Sequence, residues 1–169
     1  MSESQGPFFE DFQEGRLIPH PMGRTISEAD NTWFTLLTCN TNQVHFNKNY
    51  TQKAFPGAPF YGKLLVNATF TLALLVGLSV EQTSKNGIML QLNNVKICNP
   101  TFPGDTIYAE SKVLKVRKSR SRPEMGIVEI GTRGYKQDGV TVMEFRRTLM
   151  IRRRNAKWTG KKKNPRPKR

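Results

Sequence analysis

From Leu64 to Val80 the chain is apolar almost all round, with Leu64, Leu65, Val66, Phe70, Leu72, Leu74, Leu75 and Val76 leaving no consistent polar stripe at helical spacing. A helix over Lys63 to about Val80 with that pattern is buried on every side, so other elements must wrap it. It is not a membrane span. Asn67, Thr69, Thr71, Gly77 and Ser79 interrupt it, and the run is too short and too polar to cross a bilayer.

The segments that follow can supply the wrapper. Ile88, Leu90 and Leu92 alternate as in a half-buried strand, and Val95 and Ile97 resume in the opposite phase, which predicts a bulge near Asn93-Asn94. Pro103-Gly104 makes a turn, and Ile107, Ala109, Ser111 and Val113 begin a long strand. Residues 127–135 form another, and Asp138-Gly139 is a hairpin signal leading to a last strand with Met143, Phe145, Leu149 and Ile151 facing inward. The predicted fold class is α+β: a curled antiparallel sheet wrapped around one long central helix.

Upstream, residues 1–7 are polar and expected to be disordered. Residues 16–26 read as an extended stretch that Pro19 and Pro21 confine to a sheet edge, with His20 between them read as exposed and structural. Ser27 has the look of a helix N-cap, with Glu28 and Asp30 in the first turn where the dipole favours them. That helix runs to about Thr38, and Trp33, Phe34, Leu36 and Leu37 make its apolar face. A short helix is expected over residues 49–54, then a turn or surface insertion at Pro56-Gly57-Ala58-Pro59.

The chain of 169 residues suits one domain, placed at residues 8–154. Its net charge of +14 is uneven: ten Lys or Arg and no acidic residue lie between Arg152 and Arg169, leaving +4 for the rest. Residues 155–169 are therefore expected to be a disordered basic tail that binds polyanions weakly and releases them in high salt. The body lacks the interleaved basic and aromatic residues of a nucleic-acid-binding surface. Cys39 and Cys98 make neither a metal spacing nor a disulfide framework and read as small buried hydrophobes. With no secretory leader in the first fifteen residues, the expected location is cytoplasmic, with no membrane partner.

The chemistry-bearing stretch is the polar loop Cys39-Asn40-Thr41-Asn42-Gln43-Val44-His45. A free imidazole titrates near neutrality and serves as a general base at cellular pH. The amide of Asn40, five residues earlier, can hold a water by one hydrogen bond but cannot take its proton. No glycine-rich phosphate loop, metal cluster or Ser–His–Asp set accompanies them.

These features resemble the MaoC-like dehydratases, the (R)-specific enoyl-CoA hydratases of the hotdog fold. The resemblance covers most of residues 8–151 and rests on the Thr25-Ile26-Ser27-Glu28-Ala29-Asp30 helix start, the His45 loop, Leu65-Val66-Asn67-Ala68, and Gly104-Asp105-Thr106-Ile107. Asn42, Val66-Asn67 and Ser119-Arg120-Ser121-Arg122-Pro123 are most similar to the branch handling mesaconyl-CoA, itaconyl-CoA and related branched dicarboxylic thioesters. The family's run ends Gly-Asp-x-Asn-Pro-x-His. Here Asn40 stands at the Asp, Gln43 at the Pro, and Asn47 at a later Asp.

The resemblance implies hydration of an α,β-unsaturated thioester, with His45 and Asn40 catalytic and the Ala68 backbone N–H as oxyanion donor. It implies Asn42 and Asn67 in the substrate pocket. Lys63, Arg117, Arg120 and Arg122, with Lys115 and Lys118 beside them, are candidate contacts for the coenzyme A phosphates. No cofactor is needed, since coenzyme A is part of the substrate. The resemblance also implies a homodimer or higher assembly. The competing reading is an acyl-CoA-binding hotdog protein whose activity the Asn40 replacement removed.

Overall fold

The computed structural model describes residues 6–156. Five strands form one antiparallel sheet: β1 (Leu17–Thr25), β2 (Gly87–Ile97), β3 (Thr106–Lys118), β4 (Met125–Lys136) and β5 (Thr141–Arg152), in the order β1-β3-β4-β5-β2. Three α-helices, α1 (Glu28–Leu37), α2 (Lys48–Ala54) and α3 (Ala68–Thr83), all precede β2. The sheet curls over α3 as a hotdog fold without closing into a barrel. Pro19 and Pro21 lie on the edge strand β1, where a missing N–H costs no ladder bond.

Local signals act as expected. Ser27 caps α1 by accepting from Asp30 N, and Asp30 accepts in return from Ser27 N at 2.9 Å. That backbone bond is the main reason the Asp30 carboxyl is held below the usual carboxylate range. Gly139 sits at φ 82° in the β4–β5 hairpin. The β2–β5 register shifts between Asn93 and Lys96, and Asn94 has φ 51°.

The core lies between the concave sheet face and one side of α3, where Leu75 and Leu78 meet Ile107, Val142 and Phe145. Gly134 of β4 lets the helix come close: a Cβ there would lie 2.5 Å from the Leu75 methyls. Beside this apolar layer runs a polar one. Arg147 is 1% exposed and donates to Ser79 Oγ at 2.8 Å and Thr132 Oγ1 at 3.2 Å. Burial pushes its guanidinium down to about 10.

Several expectations need correcting. The central helix begins at Ala68, not Lys63, because backbone groups of the lead-in are claimed elsewhere: Leu65 N–H by Val44 O and Val66 N–H by Thr101 O. Nor does this chain bury α3 on every side, since Thr69, Ala73, Gly77 and Val80 are exposed. Helix α1 turns its polar residues inward: Asn31 and Thr35 are buried, while Trp33, Leu36 and Leu37 are exposed.

His20 is buried, not exposed. It follows Ile18 on the inward phase of β1 and bonds Gln82 Oε1 at 3.0 Å and Ser111 Oγ at 2.9 Å. Cys39 is exposed and Cys98 half-buried, so neither is a core hydrophobe. At the termini, Pro7 O accepts from Asn86 Nδ2, which orders the chain just before residue 8. Arg153 and Arg154 are ordered by ion pairs to Glu10 and Asp11 rather than by burial. The disorder expected for residues 1–5 and for nearly all of 155–169, and with it the polyanion-binding tail, lies outside the described residues.

Candidate active site

The His45 loop is shaped by its two ends. Helix α1 closes with Cys39 in the left-handed region at φ 55°, Cys39 N–H donating to Leu36 O and Asn40 N–H to Thr35 O, both at 3.0 Å. This double closure satisfies the last carbonyls of the helix and fixes where Asn40 leaves it. Asn40 Oδ1 then accepts from Asn42 N, and Asn42 Oδ1 caps a single 3₁₀ turn, Gln43–His45, by accepting from Val44 N. Gln43 and Asn47, two of the residues that depart from the family run, bond each other, Asn47 Nδ2 donating to Gln43 Oε1 at 2.5 Å. The other end of the Asn47 amide caps α2, so one side chain does both jobs.

His45 is buried, and its Nδ1 lies 2.8 Å from Leu65 O. A carbonyl only accepts, so Nδ1 carries the proton and the neutral ring keeps its lone pair on Nε2. Nε2 has no partner among the described residues.

Asn67 precedes α3 and caps it, its Oδ1 accepting from Thr69 N at 3.0 Å. Thr71 N–H is taken by Asn67 O. The N–H of Ala68, the first helical residue, has no acceptor among the described residues. It stands at the positive end of the α3 dipole, where negative charge is favoured.

His45, Asn40, Asn67 and Ala68 all line one cleft of about 480 Å³. Its far wall is Ile97, Val142 and Met143 from the ends of β2 and β5. The insertion at 56–59 contributes Pro59, and with Phe60 just after it reaches the rim. Phe60 continues a chain of edge-to-face rings from Phe55 to Phe102. Asn40 spends its Oδ1 on the loop and keeps Nδ2 without a partner among the described residues.

Two hydroxyls in the cleft were not singled out by sequence reasoning. Thr71 and Thr101 are 2% and 4% exposed, both line the cleft, and neither hydroxyl has a partner among the described residues. Buried helical Ser and Thr elsewhere in α3 bond back to their own helix, as Thr83 does to Ser79 O and Ser79 to Val76 O. Thr71 does not. A helical Thr with an unspent hydroxyl is visible only once the cleft is known.

Two sets of sequence-assigned site residues lie away from the cleft in this chain. Asn42 is exposed and outside the cleft lining; its side chain is spent on the 3₁₀ turn. Arg117, Arg120 and Arg122, with Lys118, lie at or beside the β3–β4 hairpin tip, where Lys118 pairs with Gly126. The cleft is at the other end of the sheet, beyond the Thr106 end of this 13-residue strand. At about 3.3 Å per residue the separation is roughly 40 Å of strand, so these cations do not join His45. Lys63 does lie near the rim, with its ammonium 5.8 Å from the Phe102 ring centroid.

A family model described as mesaconyl-CoA hydratase matches residues 2–167. The mesaconyl-CoA hydratase of Cereibacter sphaeroides is 30% identical over 92% of this chain and 44% of its own length. The β-methylmalyl-CoA dehydratase of Chloroflexus aurantiacus is 27% identical, over 86% of this chain and 44% of its own. The chain thus spans less than half the length of these curated relatives. Among solved structures, a MaoC domain protein dehydratase from Chloroflexus aurantiacus superposes with a TM-score of 0.81 at 26% identity, covering 99% of this chain and 47% of that one. A double-hotdog protein from Mycobacterium tuberculosis, with a TM-score of 0.79 at 19% identity, covers 92% of this chain and 47% of its own, and shares the fold. By the match along nearly its whole length, the chain belongs to the mesaconyl-CoA hydratase family.

Proposed function

We propose that this domain reversibly adds water across the α,β double bond of an enoyl-CoA thioester, and that the acyl chain is branched or dicarboxylic. One observation carries the reading: the free lone pair of His45 Nε2 and the unpaired N–H of Ala68 belong to residues lining the same cleft. Acid–base transfer and oxyanion stabilisation need that pair of groups together.

In the hydration direction, His45 Nε2 takes a proton from water as the water oxygen bonds the β-carbon. The π electrons move toward the thioester, whose oxygen gains charge and accepts from Ala68 N–H. Protonated His45 then returns its proton to the α-carbon, and the carbonyl reforms. One base handles both transfers because Asn40 cannot ionise; Asn40 Nδ2 donates to the water oxygen and orients it. No cofactor is required.

The dicarboxylic reading is supported by the relatives' substrates and by the cleft hydroxyls. Thr71 lies one helical turn from Ala68, about 4.5 Å along the axis. Its hydroxyl and that of Thr101 can donate to a polar group on the β-carbon. Lys63 at the rim is the remaining candidate for a coenzyme A phosphate. Two free cysteines fit a reducing, cytoplasmic setting.

The reading includes a second hotdog unit, in a homodimer or higher assembly. Strand β2 exposes Ile88, Met89, Leu90, Leu92, Val95 and Ile97, and Val80 of α3 is exposed as well. An apolar edge strand of this kind calls for a cover.

The test is a panel of coenzyme A thioesters, following loss of the conjugated enoyl absorbance with wild type and His45→Ala. Turnover that the substitution abolishes supports hydration. Binding without turnover supports the non-catalytic reading instead.

A further inference from the structure

The two fully buried residues of α1 are polar, Asn31 and Thr35, each 0% exposed. A surface helix is ordinarily held by an apolar stripe. Here Trp33, Leu36 and Leu37 stay outside, so the inward face must be explained by what Asn31 and Thr35 bond.

Asn31 spends its whole amide on the site. Nδ2 donates to His45 O at 2.8 Å and to Leu65 O at 3.0 Å, and Oδ1 accepts from Asn67 N at 2.9 Å. The three bonds tie two separate stretches to one side chain: the His45 turn, and the lead-in to α3 at Leu65 and at Asn67, the residue just before the Ala68 N–H. Leu65 O receives both Asn31 Nδ2 and His45 Nδ1. Thr35 Oγ1 adds a longer bond, accepting from Asn67 Nδ2 at 3.4 Å.

We infer that Asn31 is the positioning residue of this site: it holds the Leu65 carbonyl where that carbonyl orients His45, and it sets the distance between His45 and the Ala68 N–H. The inference rests on the reading of His45 as the base. Asn31 acts through these groups and lines no part of the cleft. An isolated packing role would not require all three amide bonds to reach the backbone that carries or adjoins the His45 ring and the Ala68 N–H. No hydrophobic residue can replace it, because His45 O, Leu65 O and Asn67 N would then be buried with capacity unfilled. Aspartate keeps the acceptor for Asn67 N but supplies neither donor and faces two carbonyl oxygens.

Histidine tautomer and turnover are to be compared in wild type, Asn31→Leu and Asn31→Asp. Nitrogen-15 spectra of labelled histidine, with the His45 signal assigned by its loss in His45→Gln, report which ring nitrogen carries the proton. Wild type is expected to show Nδ1–H alone. Asn31→Leu is expected to show a second tautomer and a fall in kcat on the order of 10²-fold with KM changed little, as for a base displaced by about an ångström. A cooperatively melting Asn31 variant with the wild-type tautomer and wild-type kcat overturns the inference. If Asn31→Leu does not fold, Asn31→Ser, which keeps a shorter donor and acceptor, is judged by the same criteria. The spectra need no turnover, so a protein that hydrates no thioester defeats the proposed function while the tautomer still decides the role of Asn31.

Discussion

His45 gives its Nδ1 proton to the carbonyl oxygen of Leu65, 2.8 Å away and twenty residues further along the chain. That one bond decides which imidazole nitrogen keeps a free lone pair at the cleft. It also joins the loop that carries His45 to the segment that leads into α3 at Ala68.

Replacing His45 by Gln is expected to lower kcat by on the order of 10³-fold, the usual worth of a general base. Steady-state rates of wild type and variant check this; a variant that keeps the wild-type kcat would mean that another group acts as the base.

Asn40→Asp is expected to remove or reverse the substrate preference. An aspartate near the reacting carbons would oppose a substrate carboxylate by about 3 kcal/mol, for charges about 5 Å apart at an effective dielectric near 20. Wild type should prefer mesaconyl-CoA or itaconyl-CoA over crotonyl-CoA, and the variant should lose that preference. Equal use of both by wild type, unchanged in the variant, would remove the electrostatic argument.

Cys39→Gly is expected to stabilise the fold by roughly 0.5–1 kcal/mol. The left-handed φ of 55° strains a residue with a Cβ and suits glycine. Cys39→Val should destabilise it, since a β-branched side chain tolerates that region least. Urea midpoints of the two variants should therefore move in opposite directions.

Acid should weaken the fold through His20. Burial is the first cause lowering its pKa, with Arg147 adding repulsion, against raising effects from the Gln82 bond and Glu110. Above the unfolded value, about 6.5, both states are neutral and there is no penalty. As pH falls below it, the unfolded chain binds the proton first, so stability declines toward the depressed folded pKa. Tm should drop between pH 7 and pH 5, and His20→Gln should flatten that dependence.

The exposed edge predicts association. Light scattering at micromolar concentration should give at least a dimer, and Leu90→Lys with Leu92→Lys should shift it toward monomer. A wild-type monomer would mean that β2 is covered in another way.

What the sequence by itself determined was whatever depends on near neighbours. The Ser27 cap, the Asp138-Gly139 turn, the phase change near Asn93 and the edge position of Pro19 and Pro21 each follow from a few adjacent residues and their backbone preferences. His45 was legible because a family pattern marks it. The tertiary structure decided what depends on partners distant in the chain. Helix α3 begins at Ala68 because backbone groups before it are bonded by residues 21 to 36 positions away. His20 is buried because β1 pairs with β3 and turns its ring onto Ser111, ninety-one residues later. Arg117, Arg120 and Arg122 carry the right charge for a phosphate but stand at the far end of their strands. Asn31 looks like one more polar residue of a helix until three long-range hydrogen bonds bring the His45 turn and the lead-in to Ala68 to it. Hydrogen bonds between distant segments leave no periodicity to read, so only the folded chain reveals them.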